Sequence, residues 1–322
     1  MAPSIDPGEM ACRASATCAS SRWRTGRGYS ATLAGGVGGT GTTTGGGVTG
    51  NTLDATTAGP GSIVRPGAST VGAGLTGIEA ATELVDKMNN AVDAGKAALP
   101  NLQPHVILAD RKPYIGSDMG ESARPVIEQA LASLGIEART SITVACVDQH
   151  GVTLSDGERI PAATVVWCSG MRTHQLTEQF PVDRDQLGRI SVDEFMRVRG
   201  LENVFAAGDA AQAMFAGHPS VMSCQHSRPM GRFAGHNVVA DLLGEPMLPL
   251  NIDWYVTVLD LGAWGAVYTH GWDRRVVSTG QAAKRTKQII NCERIYPPRT
   301  RDRQAILAMA APVVQAAPQS FE

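Results

Sequence analysis

Three glycines at the spacing of a phosphate-binding turn are the first residues in this chain that could support chemistry. Gly72, Gly74 and Gly77 form a GxGxxG pattern that also contains Leu75 and Thr76. Backbone N–H groups at such a turn, together with the positive end of the following helix dipole, bind a pyrophosphate. The residues that follow place apolar side chains on one helical stripe: Ile78, Ala81, Leu84, Val85 and Met88. We therefore expect a dinucleotide-binding turn that runs into an amphipathic helix; the alternative is a glycine turn that binds no ligand.

Another GxGxxG match, at residues 36–41, lacks a strand before it and a helix after it. Residues 42–47 are threonine and glycine, which disfavour a helix. With 36 glycines in the chain, about 0.4 such matches are expected by chance. The surrounding stretch is dominated by Gly, Thr and Ala and cannot bury enough apolar surface to offset its ordering entropy. We interpret this match as accidental and expect residues 1–62 to be disordered.

An apolar run at residues 105–109 predicts a buried strand that ends at Asp110. A carboxylate there would accept a hydrogen bond from the ribose 2′-hydroxyl of NAD, whereas Arg111 would pair with the additional phosphate of NADP. We expect NAD. Asp110 follows Gly72 by 38 positions rather than the usual ~20, which indicates a long helix or an insertion. Only residues 70–71 immediately precede the turn, so the strand that leads into it is expected to be short.

Alternation of apolar and polar residues predicts an antiparallel meander after this unit. The strands would cover residues 141–147 and 151–154, and a turn with Asp and Gly would follow them. Residues 164–167 predict a further buried strand, which leads to Gly170, where a ligand could approach the backbone closely.

Residues 204–207 repeat this design, with an apolar strand followed by Gly208 and Asp209. A carboxylate at the carboxyl end of a strand is well placed to bind a polyol. The alternative is that Asp209 caps a helix.

The order of these motifs resembles the pyridine nucleotide-disulfide oxidoreductase superfamily, and within it the branch that contains the type II NADH dehydrogenases. The resemblance covers about residues 70–300, and the ordered set is far more specific than any single motif. Its members are the segments at residues 72–79, 166–170, 188–193 and 204–209.

The resemblance implies an α/β protein with two Rossmann-like domains, one for FAD and one for NAD(P)H. The turn at residues 72–77 would bind the nicotinamide dinucleotide, and Gly170 would border that site. Gly208 and Asp209 would bind the ribitol of FAD. Hydride would then pass from the nicotinamide to the flavin, while the protein aligns and shields the two cofactors.

The segment at residues 223–231 lies where the dehydrogenases have an AQxAxQxG helix beside the flavin and the quinone. Gln225 fits this pattern and His226 lies next to it, but Pro229 replaces the second glutamine. The resemblance therefore leaves the electron acceptor open between a quinone and another oxidant. Alternatively, Gln225 and His226 support a helix that we expect at residues 230–243.

Glu79 is the one carboxylate near the expected nicotinamide site, and we name it as a candidate catalytic residue. The alternative is a first-turn glutamate that the helix dipole favours. The family also has a GxGxxG motif near its own N-terminus for FAD, and here we expect that flavin half to be missing. Three readings follow: a working flavoenzyme, a vestigial NAD(P)-binding module and a non-functional fragment.

The resemblance and the change in composition near residue 62 divide the chain into four parts. Residues 1–62 would be the disordered segment, and residues 63–164 the NAD(P)-binding domain. Residues 165–246 would be the C-terminal half of the FAD-binding domain, and residues 247–322 a C-terminal interface region.

Composition narrows the classes of protein that remain. The 322 residues are 43% hydrophobic and 18% charged with a net charge of -2, which argues against a nucleic-acid partner. No stretch has the ~20 apolar residues of a spanning helix, and no signal peptide is evident, so we expect a cytoplasmic protein. The cysteines are scattered without metal-binding spacing, and we expect free thiols and no metal: Cys12, Cys18, Cys146, Cys168, Cys224 and Cys292.

The C-terminal region is rich in aromatic residues, which suggests a homodimer interface, a cover over the flavin, or a local packed core. They are Trp254, Tyr255, Trp264, Tyr268, Trp272 and Tyr296. Type II dehydrogenases contact the membrane through this region. Residues 305–317 are apolar but short, which leaves peripheral membrane contact open.

Overall fold

The computed structural model describes residues 67–95, 105–298 and 300–321. The accidental glycine match, the expected disordered segment, Cys12 and Cys18 lie outside the described residues. The first part contains β1 (Gly67–Val71), α1 (Leu75–Gly95), β2 (His105–Ala109), α2 (Arg124–Ser133), β3 (Glu137–Arg139), β4 (Val144–Asp148), β5 (Gly151–Leu154), β6 (Arg159–Pro161) and β7 (Thr164–Trp167). The expected amphipathic helix and the buried strand at residues 105–109 are therefore confirmed. Residues 164–167 also form the expected strand, but it is not buried, because Thr164 and Trp167 are exposed at its two ends.

Four of these strands form a parallel sheet in the order β3-β2-β1-β7. α1 and α2 pack on one face, where Ile78, Leu108 and Ile127 are fully buried. Because side chains alternate across a strand, Ile107 faces the opposite side and packs against the antiparallel meander β4-β5-β6. A parallel sheet with cover on both faces confirms the α/β fold class.

The sheet also locates the change between the first two units of the chain. Strand β7 pairs with β1 from Ala68–Thr164 to Val71–Trp167, so it belongs to the sheet that carries the glycine turn. Residues 165–167, which the sequence analysis assigned to the second unit, thus belong to the same sheet as β1.

β1 is the central strand of the sheet, yet its middle is polar. Ser69 and Thr70 are fully buried, and neither hydroxyl has a hydrogen-bond partner in the structure. A buried hydroxyl without a partner destabilises a fold by about 1–3 kcal/mol. The strand that leads into the glycine turn is thus held by its pairing with two neighbours and by the buried Ala68 and Val71, and not by these two hydroxyls.

The second part contains β8 (Ile190–Ser191), β9 (Ala211–Gln212), β10 (Met214–Phe215), β11 (His218–Pro219) and α3 (Cys224–Leu243). Its core forms around the fully buried Met196, Phe215 and Met230.

Three elements differ from the sequence-based expectations: one expected strand is absent, and one strand and one helix begin at other residues. Residues 204–207 form no regular strand, because among described residues their ladder is reduced to one bridge between Arg197 and Phe205. The first meander strand begins at Val144 rather than at residue 141, since Ser141 has a left-handed backbone (φ 57°) that ends an extended run. α3 begins six residues earlier than expected and contains Pro229 in its second turn.

The third part consists of β12 (Val256–Asp260), β13 (Ala266–His270), β14 (Arg275–Thr279), α4 (Gly280–Ile289), a π-helical turn (Ile290–Arg294) and α5 (Arg303–Met309). The three strands form an antiparallel sheet in sequence order. Among the described helices, none is both long enough and apolar enough to cross a membrane.

Aromatic residues of this third part pack inside it. Tyr255 and Tyr268 are buried, so for these two the structure favours the packed-core alternative. Trp272 is stacked between Tyr255 and His218, with ring centroids 4.1 Å and 4.3 Å apart. The stack joins the β10-β11 hairpin to the third part. Tyr296 remains 37% exposed.

Residues 313–321, which we call the C-terminal strap, run across the third part. Tyr268 donates a hydrogen bond to the carbonyl oxygen of Pro318 at 2.7 Å, and Ser278 donates to that of Phe321 at 2.8 Å. Thr286 donates to the carbonyl oxygen of Gln319 at 3.1 Å. The strap therefore supplies backbone acceptors to donors on the body of the protein.

Candidate functional site

The glycine turn connects β1 to α1 at the carboxyl edge of the parallel sheet. Gly72 has a φ of 96°, and a Cβ on it would overlap the carbonyl oxygen of Cys168. A Cβ on Gly77 would overlap the carbonyl oxygen of Gly72, whereas a Cβ on Gly74 would meet only Asp118 Oδ2, at 3.4 Å. Two of the glycines are thus required by packing, and Gly74 keeps the outer surface of the turn open. This is the division of roles expected of a dinucleotide fingerprint.

The helix that follows the turn begins at Leu75 and continues through Thr76 for 21 residues, to Gly95. Its first turn contains no acidic residue. The positive end of its dipole therefore lies at the glycine turn without a carboxylate from its own first turn to neutralise it. The length of α1 also accounts for part of the long spacing between the turn and Asp110.

Asp110 lies at the end of β2, directly beside the glycine turn. Its Oδ2 accepts a hydrogen bond from the backbone N–H of Ala73, and its Oδ1 accepts one from Lys112 N at 2.7 Å. A carboxylate has about four acceptor positions, so a ribose hydroxyl can still bind. The side chain of Arg111 is exposed. The structure thus joins Asp110, which ends the strand as expected, to the glycine turn.

Gly170 follows the point where β7 contacts the turn. Cys168 N donates to the carbonyl oxygen of Val71 at 2.8 Å, and two residues later Gly170 adopts a φ of 110° with open space beside it. Burial raises the pKa of the Cys168 thiol, so this cysteine stays protonated at neutral pH. The edge of the sheet near the turn therefore exposes backbone rather than a reactive thiolate.

Asp209 lies in a short 3-10 turn that Gly208 begins with a φ of 70°. Ser227, in the first turns of α3, donates a hydrogen bond to Asp209 Oδ1 at 2.7 Å. The alternative of a helix cap is wrong for this helix, because Ser223 holds the N-cap position of α3. Asp209 is instead fixed beside the start of α3 and remains half-buried.

His226 and Gln225 anchor the start of α3. His226 is fully buried, and its Nδ1 accepts a hydrogen bond from Val221 N at 2.9 Å. Burial lowers the pKa of His226 to about 4, so the ring is neutral at neutral pH. Gln225 Oε1 accepts from Val256 N at 3.4 Å, at the beginning of β12. These contacts fit the expectation that both residues support the helix.

Glu79 is bound across the molecule rather than left free. Its Oε1 accepts hydrogen bonds from Lys287 Nζ at 2.7 Å and from Asp260 N at 3.0 Å. It is the fifth residue of α1, so the interpretation as a first-turn glutamate is wrong. The ion pair gives Glu79 a positioning role between α1 and α4.

Strand β12 connects the two motifs that the sequence analysis identified. Gln225, which lies two residues before the Ser227 that binds Asp209, binds its first residue, Val256. Glu79, in the helix after the glycine turn, binds its last residue, Asp260. Four residue steps along a strand span about 13 Å. Local sequence patterns could not have indicated β12 as this connector, because the hydrogen bonds that Glu79 and Gln225 accept from it come from backbone N–H groups.

Taken together, the covered parallel sheet, the glycine turn at its carboxyl edge and the acidic residue at the end of the next strand define a pyridine nucleotide-binding fold. A family model described as pyridine nucleotide-disulphide oxidoreductase matches residues 44–231. The chain belongs to this family, which confirms the resemblance stated above.

Known proteins similar to the chain are named as NADH dehydrogenases. A NADH dehydrogenase-like protein of Mycobacterium tuberculosis is 59% identical over 249 residues, which cover 77% of this chain and 61% of that protein. A type II NADH:quinone oxidoreductase of the same organism is 29% identical over 182 residues, covering 54% of this chain and 38% of that protein. The chain thus spans about three-fifths of the length of the first of these relatives.

Solved structures support the fold. A NAD-dependent persulfide reductase from A. fulgidus has a TM-score of 0.51 at 20% identity, with 64% of this chain and 36% of that chain covered. A FAD-dependent pyridine nucleotide-disulphide oxidoreductase from Desulfovibrio vulgaris has a TM-score of 0.50 at 19% identity, with 65% and 50% covered.

Proposed function

We propose that the chain binds NADH at the turn of residues 72–77 and FAD beside Asp209, as part of an oxidoreductase that passes electrons to a quinone or a similar acceptor. The observation that carries this proposal is the placement of Glu79 and Gln225 at the two ends of β12. Their contacts bring the helices of the two motifs within about 13 Å along one strand.

Within the proposed reaction the flavin supplies the two-electron chemistry, and the chain supplies binding and orientation. The N–H groups of the glycine turn and the open end of α1 would bind the pyrophosphate of NADH. Asp110, already fixed by two backbone N–H groups, would orient the adenosine ribose. Its place at the end of β2 supports NAD over NADP. Asp209, oriented by Ser227, would accept hydrogen bonds from the ribitol hydroxyls.

A quinone as acceptor is supported by the printed names of two relatives. Besides the type II NADH:quinone oxidoreductase, a demethylphylloquinone reductase of Synechocystis is 26% identical over 201 residues, with 61% of this chain and 47% of that protein covered. Residues 225–231 lie at the start of α3, where the family resemblance implies the acceptor side of the flavin. We propose an apolar quinone as the first acceptor to test.

The purified chain should be titrated with NADH and FAD separately, and then assayed for NADH oxidation with a menaquinone analogue and with a redox dye. Gly74→Ala should weaken NADH binding about tenfold, because a methyl group in the open turn blocks the close approach of the pyrophosphate. Gly231→Ala is the matched control, since that helical glycine also has open space around its Cβ position. Equal NADH affinity in both variants would refute binding at the turn.

The second candidate is a module that binds NADH without flavin. The observation that favours it is that Gly72, Ala73 and Asp110 contact one another and the residue after β7, whereas in the described part of the chain Asp209 is hydrogen-bonded by Ser227 and not by this group. Under this alternative, Asp209→Ala changes no ligand affinity, and purified protein carries no flavin absorbance. Under the main proposal, the same variant lowers FAD affinity and leaves NADH affinity unchanged. A chain that binds neither nucleotide would show that both proposals are wrong.

A further inference from the structure

Three arginines from two separate elements converge on the beginning of the C-terminal strap. Arg228 and Arg232 lie one turn apart on α3, and Arg294 ends the π-helical turn after α4. Arg232 donates to the carbonyl oxygen of Val313 at 3.4 Å, and Arg294 donates to that of Ala316 at 2.5 Å.

Arg228, the third arginine, contacts a side chain of the strap rather than its backbone. Its Nη1 donates to Gln315 Oε1 at 3.3 Å. The three guanidinium groups are therefore gathered around four consecutive residues, 313–316. All three arginines are partly buried.

The acceptors that these arginines meet are neutral. Among the described residues, no carboxylate oxygen lies within 4 Å of Arg228, Arg232 or Arg294, although other ion pairs in the same part of the chain form readily, such as that between Lys287 and Glu79. A guanidinium has five N–H donors, and each of these three gives one to the strap.

The arginines also repel one another. Burial lowers the pKa of Arg228, and the charges of Arg232 and Arg294 lower it further, whereas Cys224 acts in the opposite direction. Charges of one sign that are partly removed from water need a counter-charge, and here the described residues supply only amide and carbonyl dipoles. The three arginines thus have the donors and the positive charge to bind an anion. In this structure, carbonyl oxygens of the strap occupy the position that an anion would take.

We propose that Arg228, Arg232 and Arg294 form a binding site for a phosphate group, distinct from the dinucleotide turn. The planar fork of a guanidinium matches the spacing of phosphate oxygens and binds them through paired, charge-assisted hydrogen bonds. Phosphate would replace the strap carbonyls at residues 313–316, so binding and release of the first part of the strap are coupled.

Binding should be measured by titrating the full chain with inorganic pyrophosphate, with sodium chloride at matched ionic strength as the reference. Arg232→Gln should weaken pyrophosphate binding about tenfold, the effect of losing one charge-assisted pair. The control is Arg172→Gln, which changes the same charge at an exposed position outside the group. Equal weakening in both variants, or no binding to the unchanged chain, would overturn the proposal.

Arg232→Lys keeps the positive charge but loses the paired N–H donors of the guanidinium. It replaces Arg232→Gln as the test variant if the glutamine variant does not fold. It should bind pyrophosphate more weakly than the unchanged chain and more tightly than Arg232→Gln. Limited proteolysis within the strap is the second readout, since pyrophosphate should speed cleavage near residues 313–316. A cleavage rate that pyrophosphate slows would contradict the coupling.

The same chemistry occurs in free phosphates and in phospholipid headgroups, and vesicles separate the two sources. Vesicles of phosphatidylcholine alone and with phosphatidylglycerol should be sedimented with the chain. Retention only on the anionic vesicles, lost in Arg232→Gln and reduced by pyrophosphate, assigns the site to headgroups. Pyrophosphate binding without vesicle retention assigns it to a free phosphate. Vesicle retention that survives Arg232→Gln would place lipid contact elsewhere and count against the site.

Discussion

Lys287 Nζ lies 2.7 Å from Glu79 Oε1, although 208 residues separate the two along the chain. Lys287 also donates to the carbonyl oxygen of Val258 at 2.9 Å. The pair therefore fixes α1, which carries the glycine turn, to both α4 and β12. Side chains of this pair are 18% and 33% exposed, so water screens the interaction only in part.

Breaking this pair should destabilise the protein. Lys287→Met is expected to lower the free energy of unfolding by about 1–3 kcal/mol, because it leaves Glu79 with one hydrogen-bond partner and removes a charged donor. Urea unfolding measures this. Arg275→Met is the control, since Arg275 pairs with Asp273 at an 82% exposed position where a salt bridge contributes about 0–1 kcal/mol. A double-mutant cycle with Glu79→Gln that gives no coupling would show that the pair does not stabilise the fold.

Gly77→Ala should destabilise the protein although Gly77 lies within a helix. Alanine in place of glycine normally stabilises a helix by about 1 kcal/mol, but here the new Cβ overlaps the carbonyl oxygen of Gly72. We expect a loss of more than about 2 kcal/mol in unfolding free energy. Gly231→Ala in α3 should show the normal sign. Stabilisation by both substitutions would mean that the turn is not packed as described.

The buried His226 predicts acid sensitivity. Its pKa is lowered to about 4 from an ordinary 6.5, so the unfolded chain binds a proton that the folded chain does not. Stability is complete above pH 6.5 and falls as the pH decreases towards 4. Between pH 7 and pH 5 the loss from this group is about 2 kcal/mol.

The variant that tests this is His226→Asn, whose side-chain oxygen can still accept a hydrogen bond from Val221 N. Urea unfolding at pH 7 and pH 5 should show a smaller difference for the variant than for the unchanged chain. The same loss of stability in both proteins would assign the acid sensitivity to other groups.

Arg189 should be among the least replaceable charged residues. It is 6% exposed and donates to Asp185 Oδ2 at 2.7 Å and to the carbonyl oxygen of Ser220. Burial acts to raise the pKa of Asp185, but hydrogen bonds from Arg189, its charge and a hydrogen bond from Leu187 N hold that pKa below its ordinary value. Arg189→Met leaves the partly buried carboxylate of Asp185 without its cation.

We expect Arg189→Met to lower the unfolding free energy by about 3 kcal/mol at pH 7. The loss should shrink as the pH falls through the range where Asp185 takes up a proton, because a neutral carboxyl no longer needs the cation. Because the pKa of Asp185 lies below 3.8, thermal unfolding at pH 7 and pH 3 checks this. A loss that is equal at both pH values would show that Arg189 acts through packing alone.

Local patterns predicted the elements whose contacts are close in sequence. The stripe from Ile78 to Met88 gave α1, and the apolar run at residues 105–109 gave a strand with Asp110 at its end. The meander was also predicted, because each of its strands pairs with the next one along the chain.

Features that depend on distant partners were missed. Residues 204–207 have the composition of a strand, but a strand forms only where neighbours complete its ladder. The ion pair of Glu79 and the stack of His218 on Trp272 join segments that no sequence spacing connects. Local patterns thus indicate the elements of the first part of the chain, whereas the joint between the two motifs depends on contacts that no local pattern indicates.

The hydroxyls of Ser69 and Thr70 have no hydrogen-bond partner, so a substitution at the centre of the parallel sheet can stabilise the protein. Thr70→Val keeps the shape of the side chain and removes a buried polar group, so it should raise the melting temperature. Selection of random variants for heat tolerance would accordingly favour valine at position 70 before changes on the surface. A protein engineered in this way would hold the adjoining glycine turn on a more stable sheet.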